Sequence, residues 1–220
     1  MKHFVVNRFN LHVHGKNCCL KEDWLQQRLV LYNDCLSSLA NQTNKDFTVL
    51  LHIHPETPDH VIESLKNMYK QYELEYEFLF AKKWPDGAQV LKNCLAKHKR
   101  VITSRLDTDD MYPVYYIEKI KAAIPDDNGI VCIDFKRLIY SNGRKNNLYK
   151  YPNNTMFLSI CSSNPAINCS SQSHLNIRKI KGVRRIFLDD IGGKIIVHGN
   201  NVSNVMRGKR TELSLSGIFK

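Results

Sequence analysis

The sequence has no long apolar run, and it contains little glycine and proline. A helix that spans a bilayer needs about 20 consecutive apolar residues, and no stretch of the 220-residue chain comes close to that length. There are only 10 glycines and 7 prolines, while 43% of the residues are hydrophobic. These proportions exclude collagen-like and disordered chains. We expect a globular protein built as one large domain, because the chain is short for two.

The cysteine pattern lacks the spacing of a metal-binding or disulfide framework. The chain has 7 cysteines, and no two of them stand in a Cys-x-x-Cys pair. An odd number without that spacing is typical neither of a zinc ribbon nor of a disulfide-rich fold. Met1 to His3 also lead directly into strand-like Phe4–Val6, without the apolar segment of a signal peptide. We therefore expect free thiols and a cytoplasmic protein.

Acidic residues are in deficit. The chain has 21 Asp and Glu against 32 Lys and Arg, which leaves a formal charge of +11. Such a balance favours anionic partners, and one hypothesis is a basic nucleic-acid-binding protein without catalytic activity. The densest basic cluster, residues 178–185, is interrupted by apolar residues, which is more typical of a solvated face. No strand interleaves aromatic residues with cations, so we do not expect nucleic acid as the partner.

Strand-like and helix-like segments alternate through the first half of the chain. Leucines and tyrosines recur every three or four residues from Trp24 to Leu39 and predict a helix. Strands are predicted around it, at Phe4–Phe9, Phe47–Ile53, Leu74–Phe80 and Arg100–Leu106. This order predicts an α/β domain with a mostly parallel central sheet flanked by helices. The second half reads as more antiparallel, and we place the domain at residues 1–206 with a C-terminal tail at 207–220.

An acidic motif follows the last of these strands. Asp107, Asp109 and Asp110 lie within four residues of one another, directly after Leu106. In open α/β sheets, ligands bind beyond the carboxyl ends of the strands, and an Asp-x-Asp spacing lets two carboxylates converge on one hard divalent ion. The alternative is a strand-to-helix turn whose aspartates cap the helix that starts near Pro113. The residues alone leave both interpretations open.

A histidine in the C-terminal half is a candidate partner for this motif. His198 ends the apolar segment Lys194–Val197 and precedes a glycine and two asparagines, which favour a tight turn. It could complete a metal site, or it could be an ordinary hydrogen-bonded residue.

Several short motifs, in order from about residue 4 to 204, resemble those of the bacterial putative rhamnosyl transferases, which have a GT-A-type glycosyltransferase domain. The motifs are Val6-Asn7-Arg8-Phe9-Asn10, Trp24-Leu25-x-x-Arg28-Leu29, Thr103-x-Arg105-Leu106-Asp107-x-Asp109-Asp110 and Val197-His198-Gly199-x-Asn201.

This resemblance implies a GT-A-like fold and a nucleotide-diphosphate sugar as donor. It implies that Asp107, Asp109 and Asp110 hold Mn²⁺ or Mg²⁺, with His198 as a further ligand and Asp107 also close to the nucleotide. The acceptor would be a saccharide or a lipid-linked saccharide, and the positive charge would suit peripheral association with the inner membrane surface.

Four further residues are candidates for binding the sugar nucleotide, namely Arg8, Asn10, Arg28 and Arg105. Arg105 could equally serve as the counter-charge of the aspartates, and Arg28 could be structural.

An inverting transfer would need a general base. The candidates are Asp189 and Asp190, since the Ile191-Gly192-Gly193 segment after them predicts a turn that could present them to a cleft. His174 is another.

Overall fold

The structure is a computed structural model that describes residues 1–11, 19–152, 155–171, 176, 179–198 and 205–220. The described residues form one mixed sheet of ten strands with helices packed against it. In chain order the elements are β1 (Lys2–Arg8), α1 (Glu22–Ala40), β2 (Thr48–Ile53), α2 (Asp59–Gln71), β3 (Tyr76–Phe80), α3 (Trp84–Leu95), β4 (Val101–Arg105), β5 (Asp110–Met111), α4 (Tyr116–Ala122), β6 (Ile130–Ser141), β7 (Asn146–Lys150), β8 (Ser159–Ser162), β9 (Val183–Ile196) and β10 (Lys209–Arg210).

The N-terminal half is the parallel part of the sheet. Its strands lie in the order β4-β1-β2-β3, and each neighbouring pair is parallel. The apolar residues of β1 and β2 are buried, as expected for strands that are covered on both faces. On α1, the face with Leu25, Tyr32, Leu36 and Leu39 is buried in the same core. The predicted alternation of parallel strands and helices is confirmed.

The C-terminal half adds antiparallel strands, as the sequence predicts. β8 lies antiparallel to both β4 and β6, and β6 and β7 form a hairpin. The turn of this hairpin places Gly143 at φ +80°, a left-handed conformation that glycine adopts without steric cost.

The long strand β9 passes through the Ile191-Gly192-Gly193 segment, where the sequence predicts a turn. It runs from Val183 to Ile196, antiparallel to β5 and parallel to β6. Its pairing with β6 shifts register twice, between Leu188 and Lys194, as at a β-bulge. The predicted turn at Ile191-Gly192-Gly193 is therefore wrong. A Cβ at Gly192 would lie 2.3 Å from Phe135, and one at Gly193 would lie 2.5 Å from Phe157. These glycines make room for two buried rings.

The C-terminal segment packs onto the domain. β10 pairs with β7, and the Val114 N–H donates to the Ile218 carbonyl at 2.9 Å. Phe219 is buried in a small cluster with Met111, Ile139 and Ile191. No helix among the described residues has the length and apolar character that crossing a membrane requires.

Candidate functional site

The acidic motif lies at the carboxyl ends of β1 and β4, which are adjacent parallel strands. Two hydrogen bonds tie the segment after β4 to β1. The Asn7 side-chain amide donates to the Leu106 carbonyl at 2.6 Å, and the Thr108 hydroxyl donates to the Arg8 carbonyl at 3.1 Å. The motif therefore has a fixed position at the edge where ligands of open α/β sheets bind.

Asp107 lies between two arginines. Arg8 Nη2 is 2.6 Å from Asp107 Oδ1, and Arg105 Nη2 is 3.4 Å from Asp107 Oδ2. Burial by itself would raise the pKa of Asp107, but the Arg105 and Arg8 guanidiniums hold that pKa well below its ordinary value. Asp107 is therefore ionised at neutral pH. The contact between Arg105 and Asp107 fits the counter-charge role of Arg105, and its role in phosphate binding stays a prediction.

Asp109 is the point at which three parts of the chain meet. Arg28 Nη1, from α1, lies 3.1 Å from Asp109 Oδ2, and His198 Nε2 lies 3.1 Å from the same oxygen. Burial would raise the pKa of Asp109, but the His198 hydrogen bond and the Arg28 charge lower it. The structure thus brings His198 to the acidic motif, as the sequence-based hypothesis requires.

Asp110 points toward β9. It is 1% exposed, and its Oδ1 accepts the Ile196 N–H at 3.1 Å. Burial raises the pKa of Asp110 well above its ordinary value, and the negative charges of Asp109 and Asp107 raise it further. Asp110 joins the motif to the end of β9, and this connection sets the position of His198.

The donor set suits a hard divalent cation. Asp109 and His198 present an oxygen and a nitrogen 3.1 Å apart, and the Asp107 carboxylate stands two residues before Asp109. Mg²⁺ sites commonly use one or two carboxylates and complete the shell with water and substrate phosphate oxygens. Among the described residues, no group of three His, Cys, Asp or Glu side chains forms a protein-only cage. Asp107, Asp109 and His198 are the side chains here that could hold such a cation.

Three of the candidate residues do not join this cluster. Asn10 is buried, and its amide donates to the Cys19 carbonyl and the Thr57 hydroxyl while it accepts the His54 N–H. Asp189 and Asp190 form ion pairs with lysines, Lys136 at 3.2 Å and Lys119 at 2.8 Å respectively.

The position of Asp189 and Asp190 on β9 separates them from the motif. Ile195 of β9 is the partner of Asp110 in the sheet, so Asp190 lies five residues upstream of that point. At about 3.3 Å per residue this is roughly 16 Å along the strand. The role of these two aspartates as a base stays a prediction. His174 lies outside the described residues.

Sequence reasoning missed one residue beside the site, Trp84, the first residue of α3. Its ring centroid lies 5.0 Å from Arg8 Cζ. Trp24 has the same relation to Arg28 at 5.4 Å. The spacing of Trp24 and Arg28, one helical turn apart, could have revealed their contact. No local pattern connects Trp84 with Arg8, because different strands and loops bring them together.

The sequence matches the family described as putative rhamnosyl transferase over residues 9–210. The chain belongs to this family. No curated protein matches the chain.

Solved structures with a similar fold include S. aureus TarS and a mannosyltransferase. S. aureus TarS 1–349, in complex with UDP-GlcNAc, has a TM-score of 0.52 and 15% identity, covering 93% of this chain and 62% of that one. The mannosyltransferase PcManGT from Pyrobaculum calidifontis, in complex with GDP-Man and Mn²⁺, has a TM-score of 0.55 and 11% identity, covering 90% of this chain and 58% of that one. The family member described here spans less than two thirds of either chain. The predicted GT-A-like fold is confirmed.

Proposed function

We propose that this protein is a metal-dependent glycosyltransferase that takes its sugar from a nucleotide-diphosphate donor. The observation that carries the proposal is Asp109, which lies between Arg28 and His198 at the carboxyl edge of the parallel strands. The family match adds weight, and the family description makes rhamnose the first sugar to test. Mn²⁺ or Mg²⁺ is the proposed cofactor, because the donor set suits either ion.

The site suits a leaving group that gains negative charge. Asp109 and His198 would hold the cation together with Asp107. Asp110 is the remaining candidate ligand, and its hydrogen bond to Ile196 supports the segment that carries His198. A divalent cation bound there supplies Lewis-acid stabilisation of a nucleotide diphosphate as the bond to the sugar breaks. Positive groups that already lie where this negative charge develops lower the activation barrier of the transfer, because they do not have to move during the reaction.

The arginines supply that positive charge from the protein side. Arg8, Arg28 and Arg105 each lie within 3.4 Å of an aspartate of the motif. A guanidinium can donate two parallel hydrogen bonds to a phosphate. We assign these arginines to the diphosphate and Asp107 additionally to the nucleotide. Asn10 would act on the donor indirectly, since its side chain is hydrogen-bonded to Cys19, Thr57 and His54.

The acceptor is proposed to be a saccharide or a lipid-linked saccharide. The transfer of the sugar to it is proposed to take place in the cytoplasm, at the inner membrane surface. The formal charge of +11 suits an anionic surface. Asp189 and Asp190 stay the proposed bases of an inverting transfer, and this role requires an acceptor that extends along β9.

A donor screen tests the proposal. The thermal unfolding of the protein is followed with UDP-, GDP- and dTDP-sugars, each with Mn²⁺, with Mg²⁺ and with EDTA. We expect one donor to raise Tm only when the metal is present, because a ligand that binds the native state stabilises it. The same donor should be hydrolysed slowly, and Asp109→Asn should abolish both effects.

Asp34→Asn is the matched control, since Asp34 is an exposed aspartate of α1. It should behave like the wild type. The proposal is wrong if no donor stabilises the protein with either metal, or if Asp109→Asn binds and hydrolyses the donor as the wild type does.

A further inference from the structure

Both tryptophans of the chain lie against an arginine of the acidic site. The sequence has 2 tryptophans in 220 residues. Trp84 contacts Arg8, the arginine that pairs with Asp107. Trp24 contacts Arg28, the arginine that pairs with Asp109. Each of the two aspartates of the Asp-x-Asp spacing thus pairs with an arginine that lies against an indole ring, and Asp107 pairs with Arg105 as well.

Trp84 also contacts the ring of a buried histidine, His52. The ring of His52 meets it edge-on, with ring centroids 5.9 Å apart. His52 is buried in turn, and its Nε2 lies 3.1 Å from the Gly87 carbonyl. Burial lowers the pKa of His52, so the imidazole is neutral and adds no charge beside Arg8. A Cβ at Gly87 would lie 3.2 Å from the His52 ring, so the start of α3 is fitted to this histidine.

Trp24 is fixed by the helix that also carries its arginine. Trp24 and Arg28 are one turn apart on α1, and residues with this spacing share a face of a helix. The Trp24 ring packs against the main hydrophobic core. Arg28 extends from the helix to Asp109 and to the Thr108 hydroxyl. Neither indole therefore depends on an aspartate for its position.

This arrangement matters when a cation binds. A divalent ion at Asp107 and Asp109 repels the guanidiniums that pair with these carboxylates, and it weakens both ion pairs. The attraction between a guanidinium and an indole face does not involve the carboxylates. An arginine with an aromatic partner would therefore stay at the site after losing its aspartate, with its N–H groups free for an incoming anion.

We propose that Trp84 and Trp24 are positioning residues that keep Arg8 and Arg28 at the site when the cation takes over the aspartates, so that both arginines can bind the donor diphosphate. The inference rests on the proposed function, because it needs a cation and a diphosphate at this motif. It goes further by assigning both indoles a role in donor affinity.

The first half of the test needs no ligand. The Nε–Hε signals of Arg8 and Arg28 are recorded by NMR in the free protein. Ring currents should shift both signals upfield. Trp84→Leu should remove the shift of Arg8 alone, and Trp24→Leu should remove the shift of Arg28 alone. Trp84→Phe keeps a ring and should keep most of the shift.

The second half measures the Kd of UDP, GDP and dTDP in the presence of Mn²⁺ by calorimetry. Trp84→Leu and Trp24→Leu should each weaken binding about threefold to thirtyfold, the range that cation–π interactions allow. Trp84→Phe should restore most of the affinity, which a purely structural role would not require. Tyr76→Leu, at a half-exposed aromatic of β3, should not change the Kd.

The outcomes separate the two proposals. Unshifted arginine signals in the free wild type would overturn the arrangement itself, whatever the protein binds. If the wild type binds a diphosphate and both leucine variants bind it equally tightly, the positioning role is overturned and the proposed function stands. If none of the three diphosphates binds the wild type with Mn²⁺, the proposed function fails, and the inference fails with it.

Discussion

The three carboxylates of the acidic motif lie close together, and each of them has different hydrogen-bond and charge partners. Asp107 has two guanidinium partners, and Asp109 has a guanidinium and an imidazole. Asp110 is buried against the Ile196 N–H, and its raised pKa favours the neutral acid. Without these differences, like charges this close would oppose folding. The site therefore balances its charge residue by residue before any ligand binds.

A buried histidine of β1 gives the first prediction, on stability against pH. His3 is 1% exposed and shares a 2.7 Å hydrogen bond with Ser104, and burial lowers its pKa from 6.5 to about 3. The unfolded chain protonates His3 below about pH 6.5, whereas the native protein does not do so until about pH 3. The free energy of unfolding should therefore decrease as the pH is lowered through this window, by up to about 1.4 kcal/mol per pH unit.

Urea unfolding at pH 7, 6 and 5 measures this effect. His3→Gln should flatten the pH dependence relative to the wild type. Parallel curves for His3→Gln and the wild type would contradict the prediction.

At the scale of elements, β9 shows where sequence patterns fall short. Glycine pairs ordinarily indicate turns, so the Gly192-Gly193 pair predicts a turn. The structure has one strand there, since Phe135 and Phe157 occupy the space above the glycines. The contacts of the two glycines with Phe135 and Phe157 join residues that are far apart in the sequence. The sequence around the glycines therefore does not reveal them.

Alanine substitutions test this packing. Gly192→Ala should lower the free energy of unfolding by about 1–3 kcal/mol, the usual cost of overpacking a core, because Phe135 is fully buried and cannot move aside. Gly217→Ala is the control, since a Cβ at Gly217 meets no atom within 4 Å. Chemical denaturation measures both. Equal stabilities of the two variants would mean that Gly192 does not serve this packing.

At the scale of the whole molecule, the sequence predicts the parallel half of the fold well and the site in part. Apolar runs mark β1 and β2, because these strands are buried along most of their length, and apolar periodicity marks α1, because one of its faces is buried. The acidic motif is continuous in sequence, so it could be found without a structure. The approach of Arg8, Arg28 and His198 to it depends on the order of strands in the sheet, which no local pattern encodes.

The C-terminal segment packs against strands of the domain. The sequence separates residues 207–220 as a tail, but Phe219 is only 8% exposed and packs with Met111, Ile139 and Ile191. Met111 follows Asp110 directly in β5, and Ile191 belongs to β9. The segment therefore supports the two strands that connect the acidic motif with His198.

Removing this support should destabilise the fold and loosen the site. Phe219→Ala should lower the free energy of unfolding by about 2–4 kcal/mol, near the lower part of the range for buried aromatic residues, because the cluster is small. Leu213→Ala, at a 51% exposed residue of the same segment, should change it by less than about 0.5 kcal/mol. Thermal and urea unfolding give both values. If Phe219→Ala proves as stable as Leu213→Ala, the segment is an appendage, and the domain ends where the sequence places it.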